Sequence, residues 1–168
     1  MRVYDNFVSD LNRSQLAVLC VAGLLQSKGN YVILPPHNVT PDESRRYEFT
    51  DECDLLWFEP LGPTRKAQVK WSSKSFRSIE DFGFRWITVD ETYKIEAQLS
   101  RPPSHYFICN HDCTGAIVIP WNTLDSWDHH ETREKRQGNR ICQYRRAPAN
   151  KCHWRDLPTP FQSKNLSE

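Results

Sequence analysis

Three polar side chains interrupt apolar segments that are otherwise typical of buried strands. Asp54 opens the run CDLLWFEP, and Gln68 and Lys70 lie inside the run KAQVKWSS. Because Gln68 and Lys70 are separated by a single residue, their side chains point to the same face of an extended strand. If the two runs pair as an antiparallel hairpin, Asp54 comes close to Gln68 on that face. The spacing therefore predicts a small polar group on an otherwise apolar sheet.

The residue types in this group are those of a magnesium site. A carboxylate and an amide oxygen are hard ligands that suit Mg²⁺, with Mn²⁺ as a substitute, and the backbone carbonyl of Val69 adds another oxygen. The ammonium group of Lys70 can orient a water or stabilise charge that grows on a phosphate. Asp54, Gln68 and Lys70 are the candidate catalytic residues, and Asp54, Gln68 and the Val69 carbonyl are the candidate metal ligands. The alternative is a surface strand with ordinary polar alternation.

Length and composition favour one folded domain. The chain has 168 residues, 38% hydrophobic and 26% charged, so it can bury a core and is unlike a disordered chain. Its net charge of +1 neither requires nor excludes a polyanionic partner. Because no apolar run is long enough to span a bilayer and the N-terminus lacks a signal-peptide core, we expect no membrane partner and a cytoplasmic protein, nucleoid-associated if prokaryotic. The cysteines are then expected to be free thiols.

The elements that must position the polar group begin with a helix. NRSQLAVLCVAGLLQSKG predicts a helix that starts at Asn12 or Ser14, ends at Gly29 and is apolar all round, which indicates burial on several sides. YVILPP predicts a strand that the prolines end. The polar group is therefore expected on a hairpin that follows one helix and one strand.

The rest of the chain contains a second hairpin and two less regular segments. SHYFICN and AIVIPW predict the hairpin, residues 74–101 fit either strands or a helical insert, and the pattern after residue 122 is irregular and charged. Several apolar runs are continuous rather than alternating, which indicates a sheet covered on both faces. We therefore expect an α/β or α+β fold with one mixed central sheet and a buried N-terminal helix.

The segment SQLAVLCVAGLLQSKGNYVILPP, followed by CDLLWFEPLGPTRKAQVKWSSKS, resembles the PD-(D/E)XK nuclease superfamily. It is most similar to the small endonuclease and Holliday-junction-resolvase-like members. Their pattern is a helix with an acidic residue near its start, a strand, a strand with the metal-binding aspartate, and a strand with (E/Q)-x-K. Asp54 matches that aspartate, Gln68 the E/Q position and Lys70 the catalytic lysine.

The resemblance implies a restriction-endonuclease-like core and a metal-dependent deoxyribonuclease that hydrolyses phosphodiester bonds in DNA with Mg²⁺. Cutting both strands needs two active sites, so a homodimer or higher homo-oligomer is expected. Two positions depart from the strongest form of the pattern, since Gln15 stands where many relatives carry glutamate and Gln68 is an amide. Asp54 is then the single carboxylate ligand unless Asp51 or Glu52 contributes. This leaves open a second hypothesis, a catalytically inactive nucleic-acid-binding module on the same fold.

Basic residues provide candidate DNA contacts. We expect the nuclease-like core in residues 1–121, and a basic, aromatic-containing C-terminal extension in residues 122–168 that packs on the same domain. Within it, residues 131–155 have a net charge of +6 and interleaved aromatic residues, which suits phosphate contact and base stacking. The alternative is a solvated charged segment. The candidate contacts are Arg65, Lys66, Ser72, Lys74, Arg133, Arg136, Arg140, Arg145 and Arg146.

Cysteine spacing provides a third hypothesis of a different class. Cys109 and Cys113 are four positions apart with His111 between them, and Cys142 and Cys152 follow. Structural zinc takes four Cys or His ligands in short chelating pairs. The spacing between Cys142 and Cys152 is too long for such a pair, so we do not expect zinc. The corresponding function is that of a zinc-stabilised interaction protein.

Overall fold

The computed structural model describes residues 2–36, 52–134 and 140–158, and the side chains of residues 11–36, 52–133 and 141–158. The helices are α1 (Arg2–Ser27), α2 (Ile79–Phe82) and α3 (Thr92–Ala97), and 3₁₀ helices cover Trp121–Ser126 and Ala149–Lys151. The strands are β1 (Tyr31–Ile33), β2 (Leu55–Phe58), β3 (Arg65–Trp71), β4 (Trp86–Glu91), β5 (His105–Cys109), β6 (Gly115–Pro120), β7 (Asp128–Glu134), β8 (Arg140–Pro148) and β9 (His153–Asp156). The fold is of the mixed α/β type with few helices.

The described strands form two sheets. The larger sheet has the order β1-β2-β3-β5-β6-β9, in which β3 and β5 are parallel and the other neighbours are antiparallel. The smaller sheet is antiparallel, with the order β4-β8-β7. A parallel pair needs a crossover connection, and the one between β3 and β5 contains α2, β4 and α3. The predicted mixed sheet is confirmed, and the smaller sheet was not predicted.

The start of α1 differs from the prediction. The helix begins at Arg2, so Asn12 and Ser14 lie inside it and the predicted start is wrong. The segment from Arg2 to Ser14 contains no proline or glycine, so its residue types do not stop a helix. The predicted end is correct, because Gly29 has a φ of 82° and its N–H donates to the Gln26 carbonyl over 2.9 Å.

α1 packs one side against the larger sheet. Ala17 and Val21 are fully buried, whereas Leu19 is 52% exposed. The prediction of burial on several sides therefore holds in part, because Val18 and Cys20, on opposite flanks of the helix, are buried as well. Exposed single apolar side chains are common on protein surfaces, so an apolar residue on every side of a helix does not require a partner on every side.

The centre of the larger sheet is covered on both faces. The face toward α1 carries Leu55, Trp57, Ala67, Val69, Phe107, Cys109, Ala116 and Val118. The opposite face carries Tyr106, Ile108, Ile117 and Ile119, which pack with Ile87, Val89 and Ala147 of the smaller sheet. Because successive residues of a strand alternate between faces, Gln68 and Lys70 lie on the face toward the smaller sheet.

The continuous apolar runs predicted strands that are covered on both faces, and burial along the strands tests this prediction. β6 is buried along most of its length, which confirms that it is covered on both faces. β1 is an edge strand in which Tyr31 is 58% and Ile33 is 49% exposed, so the same prediction is wrong there. An apolar run alone does not distinguish a central strand from a short edge strand.

Both predicted hairpins are present, since β2 pairs with β3 and β5 pairs with β6. The ambiguous residues 74–101 contain α2, β4 and α3, so each interpretation holds in part. The irregular, charged pattern from residue 122 on gave no prediction of strands, yet β7, β8 and β9 lie there. The solvated side of an antiparallel sheet is polar, which hides the apolar pattern. A boundary after residue 121 does not separate the sheets, because β8 pairs with β4 and β9 with β6.

Gly115 allows the indole of Trp154 to lie against β6. A Cβ at this position would lie 2.0 Å from Cζ2 of Trp154, far inside van der Waals contact. We expect Gly115→Ala to lower the free energy of unfolding by about 1–3 kcal/mol, because the indole must leave its place between the sheets. Urea unfolding followed by tryptophan fluorescence measures this. An unchanged midpoint would mean that Trp154 can move aside without cost.

Candidate functional site

Asp54 lies one residue before β2, beside the middle of β3. Its backbone N–H donates to the Ala67 carbonyl over 3.0 Å, and its Oδ2 accepts from the Val69 N–H over 2.6 Å. The carboxylate therefore accepts from β3 in place of a backbone carbonyl of the neighbouring chain segment. The N–H and C=O of a strand residue point toward the same neighbouring strand, so the Val69 carbonyl also faces the Asp54 side. The structure brings together these two predicted ligands.

Gln68 lies on the same face of the sheet as Asp54. Its side chain is buried, and its Nε2 donates to the Glu52 carbonyl over 3.2 Å. Across the parallel pair of strands it lies beside Tyr106. The backbone of Glu52, rather than its carboxylate, is thus in contact with the predicted group, and Asp51 lies outside the described residues.

Lys70 is held by an aspartate that sequence analysis missed. Its Nζ lies 2.8 Å from Oδ2 of Asp90 in β4, and the Lys94 Nζ lies 3.5 Å from the other carboxylate oxygen. The Asp90 side chain is 8% exposed, whereas that of Lys70 is 33% exposed. Lys70 therefore connects a buried carboxylate with a solvent-accessible surface.

The sequence contains a weak signal for Asp90. The pairing of β4 with β8 shifts register between Thr88 and Asp90, so Val89 and Asp90 are both buried although they are consecutive. Such a bulge re-aims a side chain toward a site. An alternating pattern cannot place two consecutive residues inward, which is why the aspartate of WITVDE was not singled out.

Asp90 stays charged although it is buried. Burial alone would raise its pKa, but the Lys70 and Lys94 ammonium groups and the hydrogen bonds from Lys70 and the Glu91 N–H outweigh burial, so the pKa lies below its ordinary value. The carboxylate therefore remains ionised at neutral pH. It holds the Lys70 ammonium at a fixed place beside Gln68.

The low pKa of Asp90 makes folding depend on pH. A carboxyl with a lowered folded-state pKa stabilises the fold above its ordinary pKa of about 4, and this stability is lost as pH falls through the lowered value. We expect Asp90→Asn to be less stable than the wild type by about 1–3 kcal/mol at neutral pH, with a smaller difference below about pH 4. Urea titrations across this range measure it. A difference independent of pH would contradict this role for Asp90.

Tyr106 completes the buried part of the site and was also missed. It is fully buried, and its hydroxyl donates to Oε1 of Gln98. Burial raises the pKa of Tyr106, and the negative charges of Asp90 and Asp54 raise it further. The phenol therefore remains protonated. Because the charges of both Asp54 and Asp90 raise the pKa of Tyr106, the two carboxylates lie near the same region of the sheet face.

An open cleft of about 680 Å³ leads from Lys70 along the smaller sheet. Its lining includes Lys70, Ser72, Lys74, Phe82, Phe84, Trp86, His130 and Arg146. We call it the Lys70 cleft. It joins the predicted catalytic lysine to three of the predicted DNA contacts, Ser72, Lys74 and Arg146, of which Arg146 comes from a distant segment of the sequence.

Two predicted contacts lie in the loop after β3. The Ser72 Oγ accepts from the Lys74 N–H over 3.2 Å, which shapes the loop. The Lys74 Nζ lies over the Phe84 ring, 3.9 Å from its centroid, and 5.2 Å from that of Phe82. The ammonium of Lys74 therefore lies in the cleft against aromatic faces.

The basic residues at the hairpin are further from the cleft. Arg65 lies over the Trp57 ring at 4.7 Å, and Lys66 pairs with Glu52 over 2.6 Å. Both are near the N-terminal end of β3, whereas Lys70 is near its C-terminal end. The structure does not bring Arg65 and Lys66 into the Lys70 cleft.

The arginines of β7 and β8 separate into different groups. Arg146 lines the Lys70 cleft and forms two hydrogen bonds to Asp128, with distances of 2.9 and 2.6 Å. Arg145 contacts His129 instead, and Arg133 is exposed on β7. Arg140 is described only by its backbone in β8, and Arg136 lies outside the described residues. Of this predicted set, Arg146 is the one that the structure places in the cleft within the described side chains.

Gln15, the predicted helix position of the site, is exposed on α1. Because α1 packs on the face opposite to that of Gln68 and Lys70, the structure leaves Gln15 outside the group. Among the described residues, no three His, Cys, Asp or Glu side chains come together in the manner of a metal site. The predicted ligand set is therefore limited to the Asp54 carboxylate, the Val69 carbonyl and the Gln68 amide, and Mg²⁺ at this group stays a prediction.

The cysteines of the zinc hypothesis are divided by the sheet. Cys109 and Cys113 belong to the core on the α1 face, whereas Cys152 belongs to the core on the opposite face. All six cysteines are buried. The structure therefore does not bring together the set of Cys109, Cys113, Cys142 and Cys152.

Comparison with known proteins assigns this chain to no family. No protein-family model matches the chain, and neither the curated proteins nor the solved structures contain a match. Among the described residues, the helices lack a stretch with the length and apolar character needed to cross a bilayer. The inference of function therefore depends on the site itself.

Proposed function

We propose that this chain is an Mg²⁺-dependent DNA endonuclease with a restriction-endonuclease-like core. The observation that carries the proposal is the 2.6 Å hydrogen bond from the Val69 N–H to Asp54, which places the carboxylate beside the residue that separates Gln68 from Lys70. The order of helix, strand, hairpin and mixed sheet also agrees with the resemblance in sequence. A mixed sheet of this kind occurs in many folds, so the side-chain grouping is the stronger support.

In this proposal each residue of the group has a separate role. Asp54, the Val69 carbonyl and Gln68 bind the metal, and bound Mg²⁺ supplies a Lewis acid at the scissile phosphate. The Lys70 ammonium orients the attacking water and stabilises negative charge on the phosphate. Asp90 is a positioning residue that fixes the Lys70 ammonium in place, since its Oδ2 lies 2.8 Å from the Lys70 Nζ.

The test is cleavage of DNA by the purified full chain. Supercoiled plasmid and a branched oligonucleotide are incubated with the protein in Mg²⁺, in Mn²⁺ and in EDTA, and products are separated on gels. We expect cleavage in both metals and none in EDTA. Intact DNA under all conditions, with properly folded protein, would overturn the proposal.

A non-catalytic DNA-binding module is the second candidate. It is favoured by the ion pair between Lys70 and Asp90, in which the carboxylate offsets the positive charge that a phosphate would otherwise meet, and by the amides at Gln15 and Gln68. It predicts a gel shift without cleavage in either metal.

The homodimer expected for the nuclease is tested by sedimentation of the protein with DNA, because two copies are needed to cut both strands at one site.

A further inference from the structure

The Lys70 cleft has an aromatic wall that the proposed hydrolysis does not use. The rings of Phe82 and Phe84 are 5.3 Å apart at 64° to each other, and Phe82 in turn packs edge-on against Phe76. Phe76 is fully buried, whereas Phe84 is 53% exposed. The exposed ring is therefore supported from behind and presents a rigid apolar surface at the opening of the cleft.

Positive charge lies next to this wall. The Lys74 Nζ is 3.9 Å from the Phe84 centroid, and no carboxylate of a described residue pairs with it. Arg146 also lines the cleft, 5.8 Å from the Trp86 ring centroid, with its charge partly offset by Asp128. The ammonium covers one face of the Phe84 ring, and a ligand with a flat base and a phosphate can draw the flexible lysine to its phosphate and stack its base on the ring.

We propose that the Lys70 cleft binds an unpaired nucleotide of the DNA substrate, with its base stacked on Phe84 and a phosphate on Lys74. A base inside a duplex has both faces covered by its neighbours, so it can stack on Phe84 only when it is unpaired or turned out of the helix. A volume of about 680 Å³ is sufficient for one nucleotide. The inference rests on the proposed nuclease function and specifies its substrate class as DNA with a single-stranded segment, such as a flap or a splayed arm.

A nucleotide bound at Lys74 would lie in the same cleft as the proposed catalytic residue Lys70. Lys70 lines the same cleft as Lys74, and the two residues are separated by the turn that contains Ser72. A phosphate next to the stacked nucleotide can then reach the Lys70 ammonium. The unpaired base would thereby set which phosphodiester bond is cut, at or near the junction between single and double strands.

The test measures binding without chemistry. Fluorescence anisotropy in EDTA compares a labelled single strand, a flap substrate and a blunt duplex of equal length for wild type, Phe84→Ala and Phe84→Trp. We expect wild type to prefer the first two over the duplex, Phe84→Ala to bind them roughly 10-fold more weakly, and Phe84→Trp to restore binding. Tyr31→Ala is the matched control, because Tyr31 is 58% exposed on the edge strand β1.

Lys74→Gln provides a second variant that does not alter the aromatic wall. We expect it to weaken binding of the single strand. The slope of log Kd against log salt concentration should fall by the amount that corresponds to about one phosphate contact. Equal affinity of wild type and Phe84→Ala for the single strand, or a preference for blunt duplex, would overturn the inference. Cleavage of duplex without regard to unpaired segments would overturn it while leaving the nuclease proposal intact, whereas selective binding without metal-dependent cleavage would overturn only the nuclease.

Discussion

Lys70→Ala should reduce metal-dependent cleavage of DNA by about 100- to 1,000-fold, the usual effect of removing one group that stabilises developing charge. The ammonium lies at the edge of the cleft, 2.8 Å from Asp90, where it can reach a phosphate while remaining on a rigid strand. Binding in EDTA should fall much less, because Lys74 and Arg146 also line the cleft. Single-turnover cleavage rates and anisotropy, measured on the same preparation, separate the two effects.

Lys94→Ala is the matched variant for this experiment. It also removes an ammonium from Asp90, at 3.5 Å, but Lys94 does not line the cleft. We therefore expect a loss of stability in both variants and a large loss of cleavage only in Lys70→Ala. Cleavage by Lys70→Ala at the wild-type rate would show that the lysine was assigned the wrong role.

Asp54→Asn should remove most metal-dependent cleavage while leaving the fold almost unchanged. An amide oxygen can still accept the hydrogen bond from the Val69 N–H, which now spans 2.6 Å, so the local geometry of β3 is retained. The lost negative charge is the main attraction for Mg²⁺ within the predicted ligand set, because Gln68 and the Val69 carbonyl are neutral. We expect a fall in rate of about 100-fold or more at limiting Mg²⁺.

A titration of the cleavage rate against Mg²⁺ tests this role. The curve for Asp54→Asn should shift to higher metal concentration, with partial recovery at high Mg²⁺ or in Mn²⁺. Asp125→Asn, at an exposed position in the 3₁₀ helix, is the matched control and should follow the wild-type curve. A lower rate at every metal concentration, with the same midpoint as wild type, would place Asp54 outside the metal site.

The local sequence pattern was sufficient to predict the central part of the site. The alternation of side chains along β3 put Gln68 and Lys70 on one face, and the turn after Phe58 made the two runs a hairpin, which brought Asp54 alongside. The same local reasoning identified the end of α1 at Gly29, where a positive φ is needed. These features depend on neighbours within a few residues, so composition and spacing carry them.

The features of the site that sequence analysis missed depend on contacts between distant segments. The charged residues of β7 and β8 obscured a regular sheet, because solvent covers its outer side and an apolar pattern is not required there. The bulge in β4 turned Asp90 inward, against the alternation that would leave it outside. The predicted DNA contacts were dispersed for the same reason, with Arg146 in the cleft and Arg65 at the far end of β3.

The sequence by itself determined a hairpin that carries an aspartate, an amide and a lysine on one face of a mixed sheet. Only the tertiary structure decided that Lys70 is held by a buried Asp90 and opens into a cleft with the Phe84 ring and Lys74. The physical reason is that strand alternation acts over two residues, whereas the charge partner and the aromatic wall reach Lys70 through a crossover whose position is set by packing of one sheet on another.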